Sequence, residues 1–137
     1  MERRTENPAP NSSVGPLQGA RILVVEDDFF ISMELESILS EAGGEVVDLC
    51  HTVEEALAAI EKDGLSVALL DYRMGRETTE DVARSLDRRR VPFAFYTGQA
   101  EVDPLRAEWP DCEIVSKPAR PQALVKTVAD LIGRNAH

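Results

Sequence analysis

The sequence predicts an α/β fold: a five-stranded parallel sheet of order 2-1-3-4-5 with helices on both faces. Three observations lead there. Five short apolar runs alternate with five segments of helical spacing, the pattern of strand–helix units that build a parallel sheet. The third run, Ser66-Val67-Ala68-Leu69-Leu70, is small or apolar throughout, as a strand covered on both faces is. Polar residues capable of chemistry (Glu26, Asp27, Asp71, Thr97 and Lys117) fall just after the ends of four different strands. Right-handed crossovers restrict the topology, and 2-1-3-4-5 is the common doubly wound order at this length.

Each element has a local reason. Residues 1–18 carry Pro8, Pro10 and Pro16 among Asn and Ser with no apolar period, and are expected to be a flexible tail. Arg21 to Val25 is the first strand and runs into Glu26-Asp27-Asp28. Ile31, Leu35, Ile38 and Ala42 then mark a helix closed by Gly43-Gly44. Glu45 to Cys50 is the second strand. Thr52-Val53-Glu54-Glu55 fits a capping box, opening a helix that buries Val53, Ala56, Leu57 and Ile60 and ends by Gly64. The third strand carries Asp71 at its tip. Tyr72 to Thr79 reads as a polar loop around Gly75.

A short helix follows with Val82, Ala83 and Leu86 inward. Arg88-Arg89-Arg90 trails its end, where carbonyl dipoles favour cations. Val91 to Tyr96 is the fourth strand, leading into Thr97-Gly98. Asp103-Pro104 has the chemistry of an N-cap and first helical position. Ile114 and Val115 form a brief fifth strand before Ser116-Lys117-Pro118. The last helix begins near Pro121, buries Leu124, Val128 and Leu131, and stops at Gly133.

At 137 residues the chain is expected to be one domain, spanning 19–134, with no output domain after it. The net charge of −10 argues against a nucleic-acid backbone as partner. No segment has the form of a signal peptide or the length of a membrane span, so no membrane partner is expected. Cys50 and Cys112 lack metal-ligand spacing and read as buried free thiols of a reducing cytoplasm.

In a parallel sheet the carboxyl ends of the strands share one edge, so Glu26, Asp27, Asp71, Thr97 and Lys117 converge there. Two carboxylates about 4 Å apart repel by roughly 4 kcal/mol at an effective dielectric near 20. A hard divalent cation removes that penalty, and Mg²⁺ suits a site of few carboxylates that keeps several waters. Metal, lysine and hydroxyl together are the equipment of phosphoryl transfer, and a carboxylate can be its nucleophile by forming an acyl phosphate. Asp71, central in the sheet, is the candidate.

At this point the chain resembles a family. Val24-Val25-Glu26-Asp27-Asp28, Leu69-Leu70-Asp71, Thr97-Gly98 and Lys117-Pro118, in that order, are similar to the motifs of the receiver domain of two-component response regulators. The resemblance implies that Asp71 accepts a phosphoryl group from a histidine kinase or histidine phosphotransfer protein. It also implies that Glu26, Asp27 and the Arg73 backbone carbonyl join Asp71 in binding Mg²⁺, and that Thr97 and Lys117 contact the phosphoryl oxygens. Arg73 and Gln99 would tune the lifetime of the phosphoryl group. Phe95-Tyr96-Thr97-Gly98 after Val91-Pro92-Phe93 further resembles the stand-alone FATGUY receivers of alphaproteobacterial stress signalling, although Gln99 and Ala100 depart from that signature.

The chain also departs from the wider family. Gly75 stands where a proline is usual, Ala119 where a phenylalanine is, and Ile114 where many receivers carry a switching aromatic. The expected switch therefore involves Gly98 and the loop it opens, with Tyr96 either standing in for the aromatic or simply packing under a helix. Phe29 and Phe30 either dock a partner or pack. Receiver membership implies a phosphorylated signalling protein rather than an enzyme, acting on a downstream protein target. The competing readings are a phosphorylation-independent binding module of the same fold and a Mg²⁺-dependent phosphohydrolase. The second would need a general acid–base near Asp71, which His51 and His137 are poorly placed to supply.

Overall fold

The computed structural model describes residues 15–135. Five parallel strands, β1 (Arg21–Val25), β2 (Glu45–Cys50), β3 (Val67–Leu70), β6 (Phe93–Thr97) and β7 (Glu113–Ser116), form one sheet of order β2-β1-β3-β6-β7. Two further strands, β4 (Arg73–Met74) and β5 (Glu77–Thr78), make a separate two-residue antiparallel hairpin. Leaving that hairpin aside, the order is the expected 2-1-3-4-5. The helices are α1 (Phe29–Glu41), α2 (Val53–Ile60), α3 (Glu80–Arg88), α4 (Gln99–Glu108) and α5 (Pro121–Asn135). No helix of the described residues is long and apolar enough to cross a membrane.

The central strands are apolar throughout because each face of the sheet is covered. Ile22, Val24, Val67, Leu69, Ala94 and Tyr96 pack with Leu35 and Leu39 of α1 and Leu124 and Val128 of α5. The alternate residues Leu23, Val25, Ala68, Leu70 and Phe95 pack on the other side with Ala56 and Ile60 of α2, Val82 and Leu86 of α3 and Leu105 of α4. β1 and β3 align Val25 with Leu70, and β3 and β6 align Leu70 with Phe95. Those pairings bring the ends of β1 and β3 level, and β6 runs on past them to Thr97.

Several expectations are corrected. Positions 1–14 of the expected tail lie outside the described residues, as does His137. Leu17, however, is buried in the core and its N–H donates to the Ala42 carbonyl at 2.9 Å, so the packed unit starts before residue 19. The polar loop from Tyr72 to Thr79 contains the β4–β5 hairpin, turning at Gly75 with φ +66°. In α1 the buried residues are Ser32, Leu35 and Leu39, with Ile31 and Ile38 only packed against the core; in α2 Ala59 is buried where Leu57 was expected.

The fourth helix starts at Gln99, not at Asp103-Pro104. Tertiary bonds from Gln99 to Ser116 and from Glu101 to Arg73 hold its first turn. Pro104 has no amide to donate to the Ala100 carbonyl, and Ala100 is exposed. The fifth helix passes through Gly133 to Asn135.

Helix ends follow side-chain chemistry. Thr52 Oγ1 accepts the Glu55 amide at 3.0 Å, while Glu55 Oε1 accepts the His51 amide at 2.8 Å, one residue further out than a standard capping box. α1 and α3 both end in the same paired-amide motif. After α1, Gly43 (φ +98°) and Gly44 donate to Ser40 and Leu39. After α3, Arg90 (φ +61°) and Val91 donate to Asp87 and Leu86. The left-handed position suits glycine and strains an arginine. Arg90→Gly should therefore raise the unfolding free energy by about 1 kcal/mol, and Gly43→Ala lower it by about as much. Denaturant titrations read both, and an unmoved midpoint for Arg90→Gly would contradict the assignment of strain to that residue.

Candidate functional site

Backbone bonding carries the sheet's register one residue past the strands and into the site. The Glu26 amide donates to the Cys50 carbonyl at 2.9 Å, the Asp71 amide to Val25 at 2.9 Å, and the Lys117 amide to Thr97 at 2.7 Å. Residues distant in sequence are thus fixed on one edge by the ladder itself. Asp28 is set apart from its neighbours: its Oδ1 accepts the Ile31 amide at 3.0 Å and caps α1.

The Lys117 ammonium lies 2.9 Å from Glu26 Oε1 and 2.9 Å from Asp71 Oδ2. Thr97 Oγ1 donates to the other Asp71 oxygen, Oδ1, at 3.3 Å. Glu26 Oε2 accepts the Asp28 amide at 3.0 Å. Glu26, Asp71 and Thr97 are all buried, while Asp27 is exposed. Burial pushes the Glu26 carboxyl up to about 7, and Asp71 adds to the effect, outweighing Lys117 and the Asp28 amide, which pull it down. Burial pulls Lys117 down, but its hydrogen bonds to Glu26 and Asp71 together hold it above its ordinary value. The same ammonium sits 5.4 Å from the centroid of the Tyr96 ring.

The donor set fits a hard cation. Glu26, Asp27 and Asp71 each offer a carboxylate oxygen, and these lie within 4.8 Å of one another. Their charges are only partly offset by one lysine, and exposed Asp27 leaves a water-facing side, as an ion that keeps waters requires.

Of the expected site residues, the structure brings together Glu26, Asp27, Asp71, Thr97 and Lys117. It directs others elsewhere. Arg73 opens β4 and pairs with Glu101 of α4 at 3.3 Å, its guanidinium 5.8 Å from the Tyr72 ring centroid. Gln99 Oε1 accepts the Ser116 hydroxyl at 2.7 Å. Neither side chain bonds Asp71 among the described hydrogen bonds. Gly98 is the N-cap of α4 rather than part of a long loop. Tyr96 is buried on the α1–α5 side, whereas Ile114 packs on the opposite side of the sheet. Phe29 and Phe30 are exposed, 58% and 82%, in edge contact with each other. His51 meets Ser32 Oγ at 3.2 Å and the Phe29 ring, not Asp71.

Two residues escape sequence reasoning. Thr79 is fully buried, and its hydroxyl donates to the Asp71 carbonyl at 2.7 Å. Its sequence setting, a threonine before Glu80-Asp81, signals only a helix cap. Trp109 closes α4, with its ring edge-on to Phe93 and Phe95 and Arg84 stacked 5.6 Å from its centroid. Its Nε1 is the one buried side-chain nitrogen or oxygen without a partner among the described residues.

Comparison with known proteins agrees with this arrangement. A response regulator receiver domain protein from Clostridium thermocellum superposes with a TM-score of 0.77 at 23% identity, covering 85% of this chain and 97% of that one. A CheY-like receiver domain protein from Methanospirillum hungatei JF-1 gives 0.74 at 24% identity over 85% and 96%. The response regulator PhyR from Brucella abortus gives 0.77 at 27% identity over 88% of this chain, which spans 51% of that protein. No curated protein sequence matches significantly. The profile of the response regulator receiver domain matches residues 22–129, from the first strand into the last helix, and on that match the chain belongs to the receiver domain family of response regulators.

Proposed function

We propose that the chain is a phosphoryl-accepting switch whose nucleophile is Asp71. One observation carries the reading: a single ammonium, Lys117, reaches both Glu26 and Asp71 at 2.9 Å while Thr97 holds the remaining Asp71 oxygen. The donor is a histidine kinase or histidine phosphotransfer protein. An Asp71 carboxylate oxygen attacks the phosphorus of a phosphohistidine, the P–N bond breaks, and the imidazole leaves with a proton from solvent. The product is an acyl phosphate. Lys117 then pairs with the new phosphoryl oxygens, and the Thr97 hydroxyl donates to one of them. Glu26, Asp27, Asp71 and the Arg73 carbonyl would hold Mg²⁺, which when bound supplies neutralisation of phosphoryl charge. Each chain is modified once per transfer, so it is a signalling partner rather than an enzyme.

The downstream partner is a protein that reads the changed surface. Thr97 lies directly before Gly98 and α4, so its movement toward a phosphoryl group pulls on that helix. Arg73, two residues past Asp71, is tied to Glu101 in the first turn of α4. The added dianion competes with Glu101 for Arg73. With an aliphatic residue at Ile114, this polar link replaces an aromatic side-chain swing as the route outward. The size of the shift is bounded by the differential interaction of the two states with the phosphoryl group. Free thiols at Cys50 and Cys112 suit a cytoplasmic setting, and the acidic charge disfavours nucleic acid.

Three outcomes test the reading. Asp71→Asn should abolish labelling by acetyl phosphate with Mg²⁺, followed by intact mass; equal labelling would remove Asp71 as nucleophile. Because the buried Glu26 carboxyl holds a proton below about 7, cation binding must displace it. Mg²⁺ affinity should therefore weaken as pH falls through 7, by up to about tenfold per unit. Calorimetry in buffers of different ionisation enthalpy should register a released proton, absent in Glu26→Gln. Breaking the link with Glu101→Gln should leave labelling intact yet reduce the phosphorylation-dependent change in amide exchange over α4; an unaltered change would remove that route.

A further inference from the structure

We propose that Thr79 is a positioning residue for phosphoryl transfer at Asp71, a role that rests on the phosphoryl-acceptor reading above. Thr79 occupies the N-cap of α3 but does not cap it. In the same chain Asp28 and Thr52, at the N-caps of α1 and α2, have extended backbones and accept helix amides. That is the usual behaviour, and losing it destabilises a helix. Thr79 instead has φ −92° and ψ 22°, and the first amide of α3 is left a long 3.5 Å contact to Thr78 Oγ1.

The Thr79 hydroxyl is turned the other way. It donates to the Asp71 carbonyl at 2.7 Å, with the Tyr72 carbonyl at 3.4 Å, and the Thr79 amide donates to the Tyr72 carbonyl at 2.9 Å. These bonds close the whole excursion from Asp71 through the β4–β5 hairpin back onto its starting point. The excursion needs closing. Its tip at Gly75 (φ +66°) stands clear, since an added Cβ would meet nothing within 4 Å; Met74 and Tyr72 pack the hairpin onto the core, and the Thr79 bonds fix its closing end. The side chain of Asp71 is anchored through the peptide that Thr79 holds, and drift there would lengthen the bonds to Lys117 and Thr97. Among the described hydrogen bonds, Thr79 reaches the carbonyls of Asp71 and Tyr72 and not the Asp71 carboxylate. It acts through the backbone of the residue that reacts.

The test uses the full chain with acetyl phosphate and Mg²⁺, reading the labelling rate at Asp71 by intact mass and Mg²⁺ affinity by calorimetry. Thr79→Val keeps shape and removes the donor; Thr79→Ser keeps the donor and removes a methyl. Valine should slow labelling and weaken Mg²⁺ binding by about 10- to 100-fold, with serine close to wild type. Wild-type labelling in the valine chain, or equal slowing by valine and serine, overturns the positioning role. Should the valine chain fail to fold by circular dichroism, Thr79→Ala takes its place against serine with the same two outcomes. A wild-type chain that labels nowhere, or labels equally as Asp71→Asn, defeats the phosphoryl-acceptor reading itself and this role with it.

Discussion

The bridge from Lys117 to Glu26 and Asp71 is the constraint around which the rest of the molecule is arranged. It joins the ends of β1, β3 and β7, and it brings a charge into a site where two of its partners are buried. Buried ion pairs recover their desolvation cost only with good geometry, and apolar replacements often stabilise a fold as well or better. Stability is therefore a poor reason for this cluster. Three carboxylates and one ammonium leave the pocket electrostatically unbalanced, and burial, with a smaller contribution from Asp71, pushes the Glu26 carboxyl up to about 7. A site in that condition gains from a divalent cation and from a ligand that can use the lysine. The same imbalance that weakens the resting state is what the proposed phosphoryl transfer would draw on.

The sheet makes such an unfavourable cluster tolerable. Both faces of β1 and β3 are filled with aliphatic side chains, and the ladder continues through the amides of Glu26, Asp71 and Lys117. Moving the backbone of Glu26 or Asp71 away from the other would require breaking those bonds or uncovering the core. Packing energy gathered across the domain therefore holds like charges close. Where the ladder stops, control passes to single side chains: Asp28 caps α1, and Thr79 ties the loop beyond Asp71.

That division explains what was legible in the sequence. The strands, their order and the convergence of Glu26, Asp27, Asp71, Thr97 and Lys117 follow from apolar runs that end at polar residues, together with the handedness of crossovers. The sequence was silent where tertiary contacts override local chemistry. Asp103-Pro104 has a good helix-start signature, yet bonds from Ser116 and Arg73 draw the preceding turn into α4. Leu17 sits among prolines and glycines but fills a core position. Thr79 is indistinguishable in sequence from an ordinary cap, because the direction of a hydroxyl in a loop has no periodic signal. Arg73 and Gln99 occupy the expected positions, but their partners, Glu101 and Ser116, depend on how α4 is placed.

The two ends of α4 are held by different forces, and this sets where the helix can move. Leu105 is its only buried residue, and the closing Trp109 packs edge-on against Phe93 and Phe95 of β6. Aromatic contacts of that kind add about 0.5–1.5 kcal/mol each beyond the area they bury. At the other end the first turn is secured by one amide–hydroxyl bond, Gln99 to Ser116, and one ion pair, Arg73 to Glu101, whose side chains are 50% and 26% exposed. A pair so open to solvent contributes about 1 kcal/mol at most. The helix is thus pinned far from Asp71 and weakly tethered beside it. In the proposed mechanism a phosphoryl charge at Asp71 would act on the tether, with the aromatic end as the pivot.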